Sequence, residues 1–251
     1  MLTEKRQEEI MRMLKEKGSV TVQELKERFG ASESTIRRDL NALHKAGKLV
    51  KVFGGAVQSE EKMNVKEEQV SLREELNRDE KIRIAKMAAK LIEPDDFVYL
   101  DAGTTTGYMI PFLSVQSAEF VTNAVSHALK LAEKGFRVTL IGGELKAATE
   151  AIVGNEAYVN LQKYNFTKGF WGTNGVSLHS GFTTPDINEA MIKKCAMTHT
   201  QTRYILCDSS KFHKVSPVSF GEFGSAQIIT DKLPDESYRQ YENIRIASEE
   251  E

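Results

Sequence analysis

The chain restricts its own fold most tightly between Thr21 and Leu43. Thr21-Val22-Gln23-Glu24 has the form of a capping box, in which Thr21 and Glu24 reciprocally cover exposed backbone N–H groups. Val22, Leu25 and Phe29 then make one short apolar stripe. Gly30-Ala31 gives a tight turn and Ser32 is placed to cap a further helix. Ile36, Leu40 and Leu43 fall on one face of that helix at i, i+4 and i+7. Upstream, Ile10, Met13 and Leu14 repeat at helical spacing between Thr3 and Lys17, and Gly18 reads as the stop. Downstream, Gly47 ends the third helix. Leu49-Val50-Lys51-Val52-Phe53, Gly54-Gly55 and Ala56-Val57 read as a small β-hairpin. Three short helices and a hairpin in this order predict a winged helix-turn-helix over residues 1–57.

The polar side of the third helix says what such a unit is for. At 100° per residue Ile36, Leu40 and Leu43 centre the buried side. Ser34, Arg38 and Asn41 lie opposite, with Thr35 and Arg37 on the flanks. Arginine reads guanine edges, while Ser, Thr and Asn reach bases or phosphates, so this face suits a DNA major groove. Lys48 and Lys51 would bring charge from the wing to a phosphate strand. The expected DNA-binding set is therefore Ser32, Ser34, Thr35, Arg37, Arg38, Asn41, Lys48 and Lys51. Two other readings fit the same residues: a solvated face in which Asp39 balances the arginines, or a protein-interaction module of the same geometry.

The net charge of −2 conceals an asymmetry. Residues 1–57 hold 12 Lys and Arg against 8 Asp and Glu, and the remainder 22 against 28, as expected of a basic DNA reader on an acidic body. Hydrophobic and charged contents of 40% and 28% argue against disorder and against a membrane protein. Apolar runs such as Phe97-Val98-Tyr99-Leu100 are too short to span a bilayer, and no apolar stretch of a secretory signal follows Met1-Leu2-Thr3-Glu4-Lys5-Arg6. Cys195 and Cys207 make no disulfide framework, and no Cys/His cluster has zinc spacing. A cytoplasmic protein without metal or cofactor is expected.

Residues 58–78 are rich in Glu, Lys and Asn and read as a linker, with a helical piece around 71–76. From residue 79 to 251 the pattern alternates. Ile82, Ala85, Ala88, Ala89 and Ile92 carry helical spacing until Pro94. Strands are expected at 97–100, 120–122, 138–141, 169–172, 204–207 and 227–230, and helices at 124–134, 185–198 and 235–241. This predicts an α/β domain with a mixed, parallel-rich sheet.

Ligands of open α/β sheets bind at the carboxyl ends of the strands, and polar clusters fall there. Asp101-Ala102-Gly103-Thr104-Thr105-Thr106 offers three hydroxyls and backbone N–H groups to a phosphate, or is simply a capped turn; Pro111 would delay or kink the helix behind it. Asn123 could orient a sugar hydroxyl. Gly172, Asn174 and Gly175 end another strand, and Lys211 follows Asp208-Ser209-Ser210. Asp186, Glu189 and Lys193 share one helical face, which either lines the cleft or is a solvated i, i+4 pair. Phe170 and Trp171 read as packing residues.

Arg6, Ile10, Leu14, Ser32-Glu33-Ser34-Thr35-Ile36-Arg37-Arg38-Asp39-Leu40 and Gly54-Gly55-Ala56 resemble the N-terminal signature of the DeoR (GlpR-like) family of bacterial regulators. The body resembles that family's sensor domain in 81–89, Asp101-Ala102-Gly103-Thr104-Thr105, Thr122-Asn123, Gly172-Thr173-Asn174-Gly175, Gly181-Phe182-Thr183-Thr184, Glu189-Ala190-Met191-Ile192-Lys193 and Asp208-Ser209-Ser210-Lys211. The resemblance implies a sensor fold similar to ribose-5-phosphate isomerase and an operator-binding repressor released by a phosphorylated sugar. It places phosphate on the 101–106 loop and Lys211, and the rest of the effector near Asn123, Asn174, Asp186, Glu189 and Lys193. The chain looks most like the fructose-operon branch, implying fructose-1-phosphate, with tagatose-6-phosphate, other hexose phosphates and glycerol-3-phosphate open. A homodimer or homotetramer is expected, because one helix-turn-helix covers only a short half-site. The alternative is a sugar-phosphate isomerase or deaminase carrying a DNA-binding module, with Asp101, Asp186 or Glu189 as its base.

Overall fold

In the computed structural model, which describes residues 2–17, 19–46, 48–52, 54–58, 62–63 and 70–247, the chain forms two units, Met1–Glu61 with Asp235–Gln240 and Lys62–Pro234 with Tyr241–Glu251. The first unit runs α1 (Thr3–Lys17), β1 (Ser19–Thr21), α2 (Val22–Phe29), α3 (Glu33–Lys45), β2 (Leu49–Val52) and β3 (Gly55–Gln58). The expected hairpin is β2 against β3, and β1 adds a third strand on the other side of β3. A three-residue strand is too short to show alternation, which is why the sequence does not announce it. Ile10, Leu14, Leu25, Ile36, Leu40 and Leu43 make one core, so the three helical stripes do meet.

The joints are local. Gly30 closes α2 in the left-handed conformation (φ +58°), its N–H on the Lys26 carbonyl, a geometry that glycine adopts without a Cβ clash. Ser32 Oγ accepts from Thr35 N–H at 3.3 Å. Only half of the expected capping box forms: Glu24 N–H donates to Thr21 Oγ1 at 3.1 Å, but the Glu24 carboxylate is taken by Lys17 Nζ. Gly18, Gly47 and Phe53 lie outside the described residues. Asp39 does not balance surface arginines. It is buried on the core side of α3 and holds the buried Arg6 guanidinium through Nε at 2.5 Å and Nη2 at 3.2 Å.

The second unit begins with β4 (Lys62–Met63), α4 (Val70–Glu75) and α5 (Arg78–Ala89). There follow β5 (Phe97–Leu100), α6 (Thr104–Gly107), β6 (Glu119–Thr122), α7 (Val125–Glu133), β7 (Arg137–Leu140), β8 (Glu144–Lys146), β9 (Ala151–Val153) and α8 (Asn155–Leu161). The chain continues as β10 (Phe166–Gly172), β11 (Gly175–Ser177), β12 (Gly181–Thr184), α9 (Ile187–Thr198), β13 (Thr200–Leu206), β14 (Lys214–Val215), β15 (Val218–Gly221), β16 (Gln227–Thr230) and β17 (Ile244–Ile246). Seven strands pair in the order β17-β16-β13-β10-β5-β6-β7, every pair parallel. All six expected strands are among them. The short, near-continuous apolar runs of β5, β6, β10, β13 and β16 are what a sheet covered on both faces requires, whereas β7 at the edge stays largely exposed. The small antiparallel groups β8–β9 and β11–β12–β15 are built from strands of three or four residues, most of them interrupted by Gly, Ser, Thr or a charged residue and so without an apolar run to read.

Three details depart from expectation. The buried stripe of α5 is Ile84, Ala85, Ala88 and Ala89, with Lys81 in register and Ile82 only half-buried. Pro111 cannot continue a helix, so α6 is one turn and Ile110–Phe112 a separate 3-10 turn. The helix expected at 235–241 is a 3-10 turn, Glu236–Gln240.

Strand order fixes where a crevice opens. The chain winds outward from β5 through β6 to β7, then returns to start β10 on the other side of β5. At such a reversal the connections after two adjacent strands leave in opposite directions and open a crevice at their carboxyl ends. Here that crevice lies between Asp101, after β5, and Gly172, at the end of β10.

Candidate functional site

On α3, Ser34, Arg37, Arg38 and Asn41 are exposed together with Ser32 before it, and Thr35 is half-buried. Arg37 is drawn to Glu33 at 2.7 Å, and Lys51 of β2, half-buried, donates to Asn41 Oδ1 at 2.8 Å. Ser32 Oγ shares hydrogen bonds with Ser34 Oγ and Thr35 Oγ1 at 2.9 and 2.8 Å. Arg38 and the exposed Lys48 meet no carboxylate among the described residues. With Asp39 turned into the core, the outer face of α3 keeps a guanidinium free to be read out against an anion or a base edge.

In the second unit, Asp101 is buried at the sheet's reversal. Its Oδ2 accepts from Gly172 N–H at 3.1 Å and from Lys193 Nζ, which also donates to the Gly172 carbonyl at 3.2 Å. Burial pushes the Asp101 carboxyl above its ordinary value even though Lys193 and the Gly172 N–H pull it down. Glu189 does not pair with Lys193 one turn on. Its Oε1 accepts from Thr149 Oγ1 at 2.6 Å and from Lys146 Nζ at 3.3 Å. Asp186 caps α9 through Glu189 N–H at 2.8 Å and meets Lys146 at 3.1 Å. Glu189 and Lys193 are thus buried in the cleft wall, not solvated.

Gly103, Thr104, Thr105, Gly172, Asn174, Glu189, Lys193 and Lys211 line one cavity, joined by Arg73, Lys81 and Thr173. Other expected contacts are committed to scaffold. Thr106 Oγ1 donates to the Asp101 and Gly103 carbonyls, both at 2.7 Å, and accepts from Gly103 N–H. Asn123 accepts from Tyr99 Oη at 3.1 Å and from Ala102 N–H at 3.0 Å, and donates to the Ile152 carbonyl at 3.3 Å, so its amide pins the loop to β6 and β9. A Cβ at Gly175 would meet the Lys214 carbonyl at 2.3 Å, so that glycine serves close packing of strands. Phe170 stacks on Tyr204, and buried Trp171 lies against Tyr99.

Two cationic groups were missed by sequence reasoning. Lys81 is buried on the α5 stripe, its Nζ donating to the Arg73 carbonyl. Burial first, and then the nearby Lys211 charge, push its pKa from 10.5 to about 8. A lysine in register with Ile84, Ala85 and Ala88 is the signal that could have found it. Arg73 of α4 carries no such signal. Its Nε and Nη2 are buried without a hydrogen-bond partner among the described residues, a costly state for a guanidinium. Asp101 is matched by Lys193 and Glu189 by Lys146, and Asp208 and Glu74 lie close enough to Lys81 to favour its charged form, so Arg73, Lys81 and Lys211 leave a net positive charge beside this cavity.

Among the described residues no helix is long and apolar enough to cross a membrane, and no group of three or more His, Cys, Asp or Glu could hold a metal ion. A DeoR-like helix-turn-helix model matches residues 6–62, and the DeoR C terminal sensor domain model matches residues 76–232. An uncharacterized HTH-type transcriptional regulator FruR of Bacillus subtilis (strain 168) is 39% identical, the match covering 96% of each chain. The lactose phosphotransferase system repressor of Streptococcus mutans is 32% identical, again over 96% of each. Among solved structures, ribose 5-phosphate isomerase A of Methanocaldococcus jannaschii gives a TM-score of 0.41 at 16% identity, covering 54% of this chain and 55% of that one. Matched in both units and nearly end to end by transcriptional regulators, this chain is a regulator and not an enzyme, and it belongs to the DeoR family.

Proposed function

We propose that the chain represses a sugar-catabolic operon and leaves its operator when a phosphorylated sugar, fructose-1-phosphate first among them, occupies the cleft of the sensor. The observation that carries this is the surplus of Arg73, Lys81 and Lys211 in one buried cavity at the sheet's reversal. A phosphate dianion supplies the missing counter-charge and the acceptors that the Arg73 guanidinium lacks. The resemblance to the fructose-operon branch puts fructose-1-phosphate first within that class, and a regulator named FruR is among the relatives. If the effector binds the operator-free form more tightly, its binding lowers operator affinity by linkage. One α3 covers a short half-site, so we propose that at least two chains act together on one operator.

The test uses a duplex selected by the wild-type protein from a random pool, with anisotropy reporting release by fructose-1-phosphate, tagatose-6-phosphate or glycerol-3-phosphate. Two or more chains should bind per duplex. Arg38→Ala is expected to weaken duplex binding by about 1–3 kcal/mol and leave effector binding intact. Lys211→Ala is expected to bind the duplex normally and to stay bound at effector concentrations that release the wild type. Normal release of the Lys211→Ala protein would place the effector elsewhere, and full duplex affinity in Arg38→Ala would remove α3 as the reading helix.

Lys81 adds a pH signature. With its pKa near 8 in the ligand-free protein, the amine is protonated below pH 8 and progressively neutral above it. A bound phosphate favours the charged form, so binding above pH 8 takes up a proton and affinity falls as pH rises, by up to about tenfold per unit. Calorimetry in two buffers of different ionisation enthalpy should show proton uptake at pH 8.5 that is absent in Lys81→Met. Equal affinity at pH 7.5 and 9.5 would exclude Lys81 from the anion site.

A further inference from the structure

The cation-lined cavity is too small for a sugar. Its volume is about 30 Å³, whereas one water alone needs roughly 10–15 Å³, so the space takes a phosphate group and little more. A second cavity of about 440 Å³ adjoins it, walled by α6 and α7. Ala102, Gly103 and Thr104 line both. Helix α4 also lines both, with Arg73 on the small one and Val70 and Glu74 on the large one. The two meet again at the Thr149–Glu189 hydrogen bond, Thr149 lining the large cavity and Glu189 the small one.

One residue of the large cavity's wall carries a buried polar atom in want of a partner. His127 of α7 is buried, and its Nδ1 has no hydrogen-bond partner among the described residues. The ring is held close to α6: a Cβ at Gly107 would lie 2.7 Å from Nε2. Burial, with Lys130 nearby, lowers its pKa to about 4, against the pull of the Asp101 carbonyl hydrogen-bonded to the ring. The ring is therefore neutral at physiological pH. With its N–H committed to that carbonyl, Nδ1 presents a lone pair.

We propose that this second cavity receives the uncharged, hydroxyl-bearing remainder of the effector, with a ligand hydroxyl donating to His127 Nδ1. This rests on the phosphate reading of the smaller cavity. The phosphate sits among Arg73, Lys81 and Lys211, and the carbon chain passes Gly103 and Thr104 into the larger space. There Tyr108, Ile110 and Pro111 offer apolar surface to the carbon faces of a sugar or polyol. A hydroxyl at Nδ1 relieves an acceptor that is otherwise buried unpaired.

Calorimetric titration of the full chain with fructose-1-phosphate, tagatose-6-phosphate, glycerol-3-phosphate and inorganic phosphate tests this. At least one organic phosphate should bind over tenfold tighter than inorganic phosphate. His127→Leu should weaken that ligand about tenfold and leave inorganic phosphate unchanged. His127→Asn, whose amide oxygen can stand near the Nδ1 position, should recover part of the loss. Ser126→Tyr, which fills the same cavity from its wall, should also weaken the organic phosphate and spare the inorganic one, and it decides the matter if His127→Leu does not fold. Wild-type affinity for the organic phosphate in His127→Leu and Ser126→Tyr, or no organic phosphate binding tighter than inorganic phosphate, would overturn the proposal. Failure of the phosphate reading is distinguishable: inorganic phosphate would then bind Arg73→Ala as well as it binds the wild type.

Discussion

Asp39→Ala is expected to unfold the helix-turn-helix unit and leave the sensor folded. The substitution removes the carboxylate that holds Arg6, and both groups are buried, with side-chain exposures of 9% for Arg6 and 3% for Asp39. The pair itself adds little net stability, because desolvating two charges costs about what their attraction returns. Removing one partner is different: it leaves a buried guanidinium without the carboxylate that neutralises it, between α1 and α3. Buried pairs broken this way cost about 3–5 kcal/mol, and the lower end suits so small a unit. A unit of about 60 residues has a stability of similar size, so the loss reaches the whole fold of that unit. Differential scanning calorimetry should show the helix-turn-helix transition shifted far down or lost, with the sensor transition in place and sugar-phosphate binding unchanged. Replacing both partners, Arg6→Met with Asp39→Leu, should restore the transition. A single variant that melts like the wild type would show that Arg6 reaches water without Asp39.

The same pair shows what the sequence made legible and what it did not. The three helices of the helix-turn-helix unit follow from contacts within one or two helical turns: the Thr21 and Ser32 caps, the Gly30 stop and the three apolar stripes. Arg6 and Asp39 are 33 residues apart, and nothing local says that an aspartate beside two arginines faces inward. The sensor repeats the lesson. Its parallel strands were readable as apolar runs, and the crevice followed from polar residues at their ends. Which polar side chains stay free in that crevice depends on partners far along the chain. Asn123 is claimed by Tyr99 and Ile152, and Lys193 by Asp101, 92 residues away. Glu189 and Lys193 have the spacing of a surface pair, yet each answers to a different element. Lys81 was hidden for the opposite reason: it occupies an apolar register, where periodicity looks for aliphatic residues and passes over a charge.

Lys193→Met should produce the second large effect, this time in the sensor. Asp101 is 1% exposed; without Lys193 its carboxylate keeps, among the described residues, only the Gly172 N–H, at 3.1 Å. Burial already raises its pKa with Lys193 present, and loss of the ammonium raises it further. The folded state then binds a proton that the unfolded chain releases above its ordinary value near 3.8. Stability therefore falls as pH rises from that value to the raised one, so the defect should be small in mild acid and largest near neutrality. At neutral pH a loss of about 3–5 kcal/mol is expected, read as a drop in the urea midpoint of the sensor transition. Adding Asp101→Asn removes the stranded charge while keeping an oxygen for Gly172 N–H, and should recover most of the loss and abolish its pH dependence. A single variant as stable as the wild type at pH 7, or a double variant no better than the single, would show that the pair does not hold the crevice together. The distinction bears on sensing. A pair neutralised within the scaffold leaves Arg73, Lys81 and Lys211, only partly balanced by Asp208 and Glu74, as the charge that faces an anion. The double variant, once refolded, should therefore still bind inorganic phosphate, although the residues at the very centre of the sheet's reversal have been replaced.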